Sequence, residues 1–393
     1  MSFKTRLSIL FVSTPVLAFV LVGGLIGKEN VQDQKYQHFR VFEDVVNLVI
    51  NNYVEDVKLD RAMEGAMRGL ADGLDPDSAY LNAKQVKGVE GGDTQPAGDV
   101  GLELTRQYYL RVIAARDNSP AAKAGLQTGD YVRAIDGKPT RDMSVFEGSR
   151  LLRGEPGSKV VLTVIRGNAA DPHDITLVRD KTPGAVLSSR MAGPGIGYIR
   201  IATFRGAPGA LTADLRKHAA DLAKGGARSL VIDLRRTAEG PIENGIAAAR
   251  LFVKSGTLAI KTGRDKETTR EPIATAEGDG AIDLPATLLV TSGTSGAAEL
   301  FAAALGGNDR ADLVGERTLG RAGVQKLVKL PENRGLWLTY AKYLTPAGEP
   351  IHGRGLEPDT QVEEPDVEFG AAPPDTDPIL DAALARLAAK KAA

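Results

Sequence analysis

The chain has 393 residues, 42% hydrophobic and 25% charged, which places it in the globular class with room for two or three domains. Its 49 basic and 50 acidic side chains leave a formal net charge of -1, so nothing draws it globally to nucleic acid. Cysteine is absent, which excludes disulfides and thiol chemistry, and His38, His173, His218 and His352 are too scattered for a metal site or a triad. No metal, organic cofactor or nucleic-acid partner is expected.

Lys4 and Arg6 precede an uncharged apolar run from Leu7 to Gly27, the pattern of a secretory signal or of a retained anchor. The run matches the ~20 residues needed to cross hydrocarbon. No clear small-x-small cleavage site precedes Lys28, so residues 1–28 are read as an anchor in the inner membrane, held through residues 7–27, with the remainder on the periplasmic side. Cleavage would instead release the chain to the periplasm.

Phe39, Phe42, Val45, Val46, Val49, Ile50 and Tyr53 recur at helical spacing and Ala62 to Leu70 forms a second helical stretch, giving a small helical domain over residues 29–90. The run Leu74-Asp75-Pro76-Asp77-Ser78 interrupts the helix, because proline disfavours helical geometry in the residue before it and Asp and Ser cap local backbone. Gly88 to Gly98 reads as a linker.

A mixed domain follows over residues 98–168, with β-like runs at Leu102–Thr105, Leu110–Ala114, Tyr131–Ile135 and Lys159–Ile165. The order of Asn118-Ser119-Pro120-Ala121-Ala122-Lys123-Ala124-Gly125-Leu126, Gly129-Asp130 and Ile135-Asp136-Gly137 resembles a PDZ domain. Such a domain takes an extended peptide as an added strand and receives a terminal carboxylate on loop N–H groups. The resemblance puts peptide binding on Val100, Gly101, Leu102, Glu103 and Leu104. Asp99 stands where that family usually has glycine, and its carboxylate would repel a peptide's terminus unless it points elsewhere.

Residues 180–366 alternate strands and helices: Gly197–Ile201, Leu211–Ala223, Ser229–Leu234, Ile242–Val253, Thr287–Thr291 and Ala297–Leu305. Residues 371–393 comprise a Pro-rich linker and a closing helix with Ile379, Leu380, Ala383, Leu384 and Leu387 on one face. The expected fold is therefore α/β and multidomain.

From Phe39 onward the chain resembles the carboxyl-terminal processing peptidases. The likeness is carried by the PDZ motifs, Leu74-Asp75-Pro76 with Ser78 and Tyr80, Leu151-Leu152-Arg153-Gly154 and Val231-Ile232-Asp233-Leu234-Arg235. Gly315-Glu316, Val324-Gln325 and Thr345-Pro346 continue it. The resemblance implies a ClpP/crotonase-like core, a serine nucleophile with a lysine base, and cleavage of exported proteins near their C-termini. It also marks departures. The nucleophile position, three residues before Glu299, falls on Gly296, and glycine has no hydroxyl. The lysine position, 25 residues on, falls on Arg321, whose guanidinium stays protonated. Gln325 is retained, and Glu239 replaces a glycine of the oxyanion-forming turn, bringing a carboxylate to a place that must welcome negative charge.

Three readings follow. In the first, the chain is a pseudopeptidase that binds unfolded or C-terminal segments of exported proteins, or an active relative. In the second, it is a serine endopeptidase with its nucleophile moved to Ser295 or Thr294 and Lys326 or Lys329 as base. In the third, Arg321 and Glu239 form a new anion site or simply pair with each other. The terminal helices could also support a homo-oligomer.

Overall fold

The computed structural model describes residues 31–91, 96–167, 171–181, 186–207, 209–265, 269–371 and 374–392. The apolar run at 7–27 lies outside them. The chain forms two compact units, residues 1–67 and 68–393. In the first, helix α1 (Val31–Asn52) carries the expected periodic residues, and Phe39, Phe42, Val45, Val49, Ile50 and Tyr53 are all exposed. Among the described residues no helix is long and apolar enough to cross a membrane. Helix α2 (Leu59–Asp72) runs through the division.

The second unit begins with the interrupted turn, strand β1 (Ala79–Leu81) and helix α3 (Ala83–Glu90). Asn82 starts α3 with a reciprocal cap: its side chain accepts the Gln85 N–H at 3.0 Å, and the Gln85 side chain accepts the Asn82 N–H at 2.9 Å. This cap carries the helix to Glu90, so the linker expected from Gly88 begins later than the glycine content suggests.

The next segment is a five-strand antiparallel sheet with a short appended strand. It contains β2 (Leu102–Gln107), β3 (Tyr109–Ala115), helix α4 (Pro120–Lys123), β4 (Tyr131–Ile135), β5 (Lys138–Pro139), helix α5 (Val145–Leu152), β6 (Lys159–Ile165) and β7 (His173–Val178). The order is β2-β3-β4-β6-β7, with β5 on β4. Alternation in β6 sends Val160, Leu162 and Val164 into one core with Leu104, Leu110, Val112 and Ile135. Strand β2 lies at the sheet edge with one side open to a further strand.

The core sheet comprises β8 (Leu187–Gly193), β9 (Ile196–Ile201), β10 (Ser229–Asp233), β13, β14 and β17. Between and after these run helix α6 (Ala210–Lys224), helix α7 (Ile242–Ala249), β11 (Thr257–Thr262), β12 (Glu271–Ala274), β13 (Ala286–Val290), helix α8 (Ala297–Gly306), β14 (Ala311–Gly315), β15 (Gly323–Lys329), β16 (Gly335–Leu344), β17 (Thr360–Gln361) and helix α9 (Pro378–Ala392). The order is β17-β14-β13-β10-β9-β8, parallel except at β8. Burial on both faces explains the uninterrupted apolar runs: Leu230, Ile232, Leu288 and Val290 face the core shared with α6, α7 and α8, whereas Val231, Leu289 and Val314 pack under Ile379, Ala383 and Leu387 of α9.

A third, antiparallel sheet joins β1, β16, β11 and β12, with β15 on β16. Beyond β17 the chain returns to the first sheet. Arg166, held by Asp130 at 2.7 Å, donates to the Val367 carbonyl at 3.3 Å and lies over the Phe369 ring, which stacks on His173 with centroids 4.5 Å apart.

Candidate functional site

The site forms where β13 gives way to α8. Thr294 closes the turn: its N–H donates to Thr291 O at 2.8 Å, its hydroxyl accepts the Thr291 N–H at 3.1 Å and donates to Leu234 O at 2.9 Å. Gly296 follows at φ 63°, ψ -120°, a conformation that L side chains adopt only under strain. A Cβ there would nevertheless meet nothing closer than Arg321 O at 3.8 Å and Ala238 O at 3.9 Å. The position has room for a Cβ between the carbonyls of Arg321 and Ala238.

Glu299 ties these places together. Its fully buried carboxylate accepts the N–H of Gly296 at 3.1 Å, of Arg321 at 2.7 Å and of Gly320 at 2.6 Å, and also the Thr318 hydroxyl. Burial pushes its pKa above the usual carboxylate range, against the pull of these four bonds. Gly296 has no side chain to complete a reciprocal cap, so Glu299 alone supplies the side-chain cap at the helix start.

The Arg321 side chain leaves this frame. Its guanidinium pairs with Asp77 at 2.7 Å and reaches the Leu104 carbonyl on the open edge of β2 at 3.5 Å. Burial favours losing its proton, but Asp77 and Glu103 outweigh it and raise the guanidinium above its ordinary value. Asp77 is held in place by the turn: Asp75 accepts the N–H groups of Asp77 and Ser78 at 2.9 and 2.8 Å. Gln325 stands close by, donating to the Thr339 hydroxyl at 3.1 Å, in a cleft lined also by Asp77, Arg153, Arg321 and Trp337.

Glu239 does not meet Arg321 in an ion pair. Its carboxylate pairs with Arg205 at 2.5 Å and Arg116 at 3.4 Å, and Arg116 also holds Asp99 at 2.6 Å. Asp99 is thereby paired with a cation from the loop after β3. In place of the mutual Arg321-Glu239 pair that the third reading allowed stand two separate networks, because each charge finds a nearer partner. Between them sits Glu103 on β2, which lines the same crevice as Glu239. Burial first, and the Glu239 charge second, push its pKa up to about 7. Val100, Gly101, Leu102 and Glu103 line one wall of a crevice of about 510 Å³, open mouth included, and Ala238 and Glu239 line the other.

The fallback residues lie apart from this cluster. Ser295 is 1% exposed, its Oγ has no hydrogen-bond partner, and its N–H donates to Thr237 O at 3.0 Å. The Lys326 ammonium lies 4.8 Å from the Tyr340 ring centroid, and exposed Lys329 pairs with Glu90. Four residues of the cluster went unread in the sequence: Asp77, Arg116, Arg205 and Glu103 as a carboxyl partner. The available signal was charge itself, since placing Arg321 and Glu239 in a partly buried site demands counter-charges nearby.

Residues 195–362 match the Peptidase family S41 and residues 111–166 match the PDZ domain. The chain is 32% identical over 342 residues to a carboxy-terminal-processing protease of Bartonella bacilliformis, covering 86% of this chain and 77% of that protein. It is 33% identical over 321 residues to a carboxyl-terminal-processing protease of Synechocystis, covering 79% and 73%. Among solved structures, a photosystem II D1 C-terminal processing protease aligns with a TM-score of 0.68 at 27% identity, over 82% of this chain and 92% of the other.

Proposed function

Because the chain belongs to peptidase family S41, alongside the carboxyl-terminal processing proteases and with their PDZ domain, we propose that it is an exported binding protein of that family which captures polypeptides without cutting them by a Ser/Lys mechanism. The observation that carries this reading is the Glu299 frame. It fixes the backbone of positions 296 and 321 together, yet one offers no hydroxyl and the other a guanidinium committed to Asp77. The open edge of β2 is the surface that takes the peptide, by strand addition. Partners are unfolded or C-terminal segments of exported proteins, or an active relative, met on the periplasmic side of the inner membrane.

The competing reading, an endopeptidase using Ser295, draws little support from a buried Oγ with both candidate lysines engaged elsewhere. The purified full-length protein, incubated with reduced and alkylated casein beside Ser295→Ala, is expected to leave the substrate intact in both forms. Cleavage by the wild type that disappears in Ser295→Ala would instead establish a relocated nucleophile. A Gly296→Ser plus Arg321→Lys double variant tests whether the frame alone suffices to restore turnover.

A further inference from the structure

The open edge of β2 is obstructed by a residue of the core. Leu104 opposes Val112, and Val112 turns its own N–H and C=O the other way, to Asp130 O at 2.8 Å and the Gly129 N–H at 2.9 Å. The Leu104 carbonyl therefore points away from β3, out to the open edge. There it meets the Arg321 guanidinium at 3.5 Å. A strand added to β2 would run about 4.8 Å from it, so the guanidinium stands in the lane that a peptide backbone must use. One arm of Arg321, Nη2, is held by Asp77 at 2.7 Å while the other, Nη1, faces Leu104.

The lane also closes at its other end. Just before β2, Gly98 exchanges two hydrogen bonds with Gly154 at 3.1 and 3.0 Å, and Asp99 exchanges two with Asp180 at 3.1 and 2.9 Å. Both sides of the chain are thus taken there. Between the two limits, the Val100 and Gly101 carbonyls accept from Ala121 and Arg116 at 3.0 and 2.8 Å, whereas their N–H groups bond to nothing among the described residues. Unclaimed donors at a dead end suit a terminal carboxylate. Two depressions run along α5, one lined by residues 99–103 and the other by Arg321; they share Ser149 and Arg153, which places the guanidinium at their border.

On the reading that β2 captures peptide, on which this rests, we propose that Arg321 is a length stop. The edge pairs with roughly the last three residues of a polypeptide, whose carboxylate meets the Val100 and Gly101 N–H groups, and the ligand chain leaves the sheet before Leu104. An internal segment, with chain continuing at both ends, has nowhere to lie between Gly154 and Arg321. The residue at 321 thereby sets which part of a ligand is recognised, in addition to withholding a base.

Titration calorimetry with random-sequence pools of N-acetylated tri-, penta- and heptapeptides tests this on the full-length chain. The wild type is expected to bind tripeptides and heptapeptides within about 2-fold of each other, and to lose both when the terminal carboxylate is amidated. Arg321→Met combined with Asp77→Asn removes the guanidinium without leaving a buried carboxylate unpaired, and should bind heptapeptides on the order of 10-fold more tightly than tripeptides. Should that variant fail to fold, Arg321→Lys takes its place, since it keeps a counter-charge for Asp77 but has no second arm for Leu104. A wild type whose affinity climbs with length, or a variant with the wild-type length dependence, overturns the stop and leaves capture by β2 standing. Binding of no pool by either protein overturns both.

Discussion

The two halves of the site are built on different physics. On one side, Gly296, Gly320 and Arg321 present backbone N–H groups to a single buried carboxylate. On the other, Glu103, Glu239, Arg116, Arg205, Arg321 and Asp77 meet through side chains alone. Every residue but proline has a backbone N–H, so the first half depends little on the side chain at 321, and on that at 296 only through its positive φ. The second half answers to each substitution by re-pairing charges. A frame built on backbone N–H groups can therefore tolerate changes of side chain that a network of ion pairs cannot.

The sharpest way to break this contrast is Glu299→Ala. It strands three N–H groups and the Thr318 hydroxyl in a dry interior, and urea unfolding should register a loss of about 3–5 kcal/mol. Asp77→Asn strikes the other half. It leaves Arg321, partly exposed, without its counter-charge, and the same titration should show roughly 1–2 kcal/mol, since re-pairing and solvent soften the loss. Gly296→Ser should cost about 1 kcal/mol from the left-handed backbone and nothing from crowding, given the free space around the missing Cβ. Ser295→Ala should fall within ~0.5 kcal/mol of the wild type, or slightly above it, because it removes a buried hydroxyl that bonds to nothing. A large loss there would mean the hydroxyl has a partner and would reopen its functional role.

Much of the fold was legible because its strands are marked either by alternation, where one face is buried, or by uninterrupted apolar runs, where both are. Tyr131–Ile135 and Lys159–Ile165 match their predicted limits, Ser229–Asp233 and Ala286–Val290 differ from them by about one residue, and α6 and α8 extend theirs by about one residue. The β15–β16 hairpin was not anticipated: Lys326, Lys329 and Lys342 interrupt its apolar residues and most of it is only partly buried, so no clear period of two stands out. The positions of Gly296, Arg321 and Glu239 followed from motif spacing, which tracks backbone geometry. Their partners did not. Asp77 lies 244 residues before Arg321, and Glu103 lies 136 residues before Glu239; long-range charge pairing leaves no local pattern to read.

The return of the chain after β17 bears on how the protein can be taken apart. Phe369 sits between the Arg166 guanidinium, just after β6, and the His173 imidazole of β7, although it is encoded about two hundred residues beyond them. The PDZ domain is thus not a detachable insertion: excising residues 98–168 would uncover an aromatic ring at one edge of the remaining core, and expressing them alone would leave Arg166 with no ring to lie over. A faithful dissection carries β7 and residues 365–370 along with the domain.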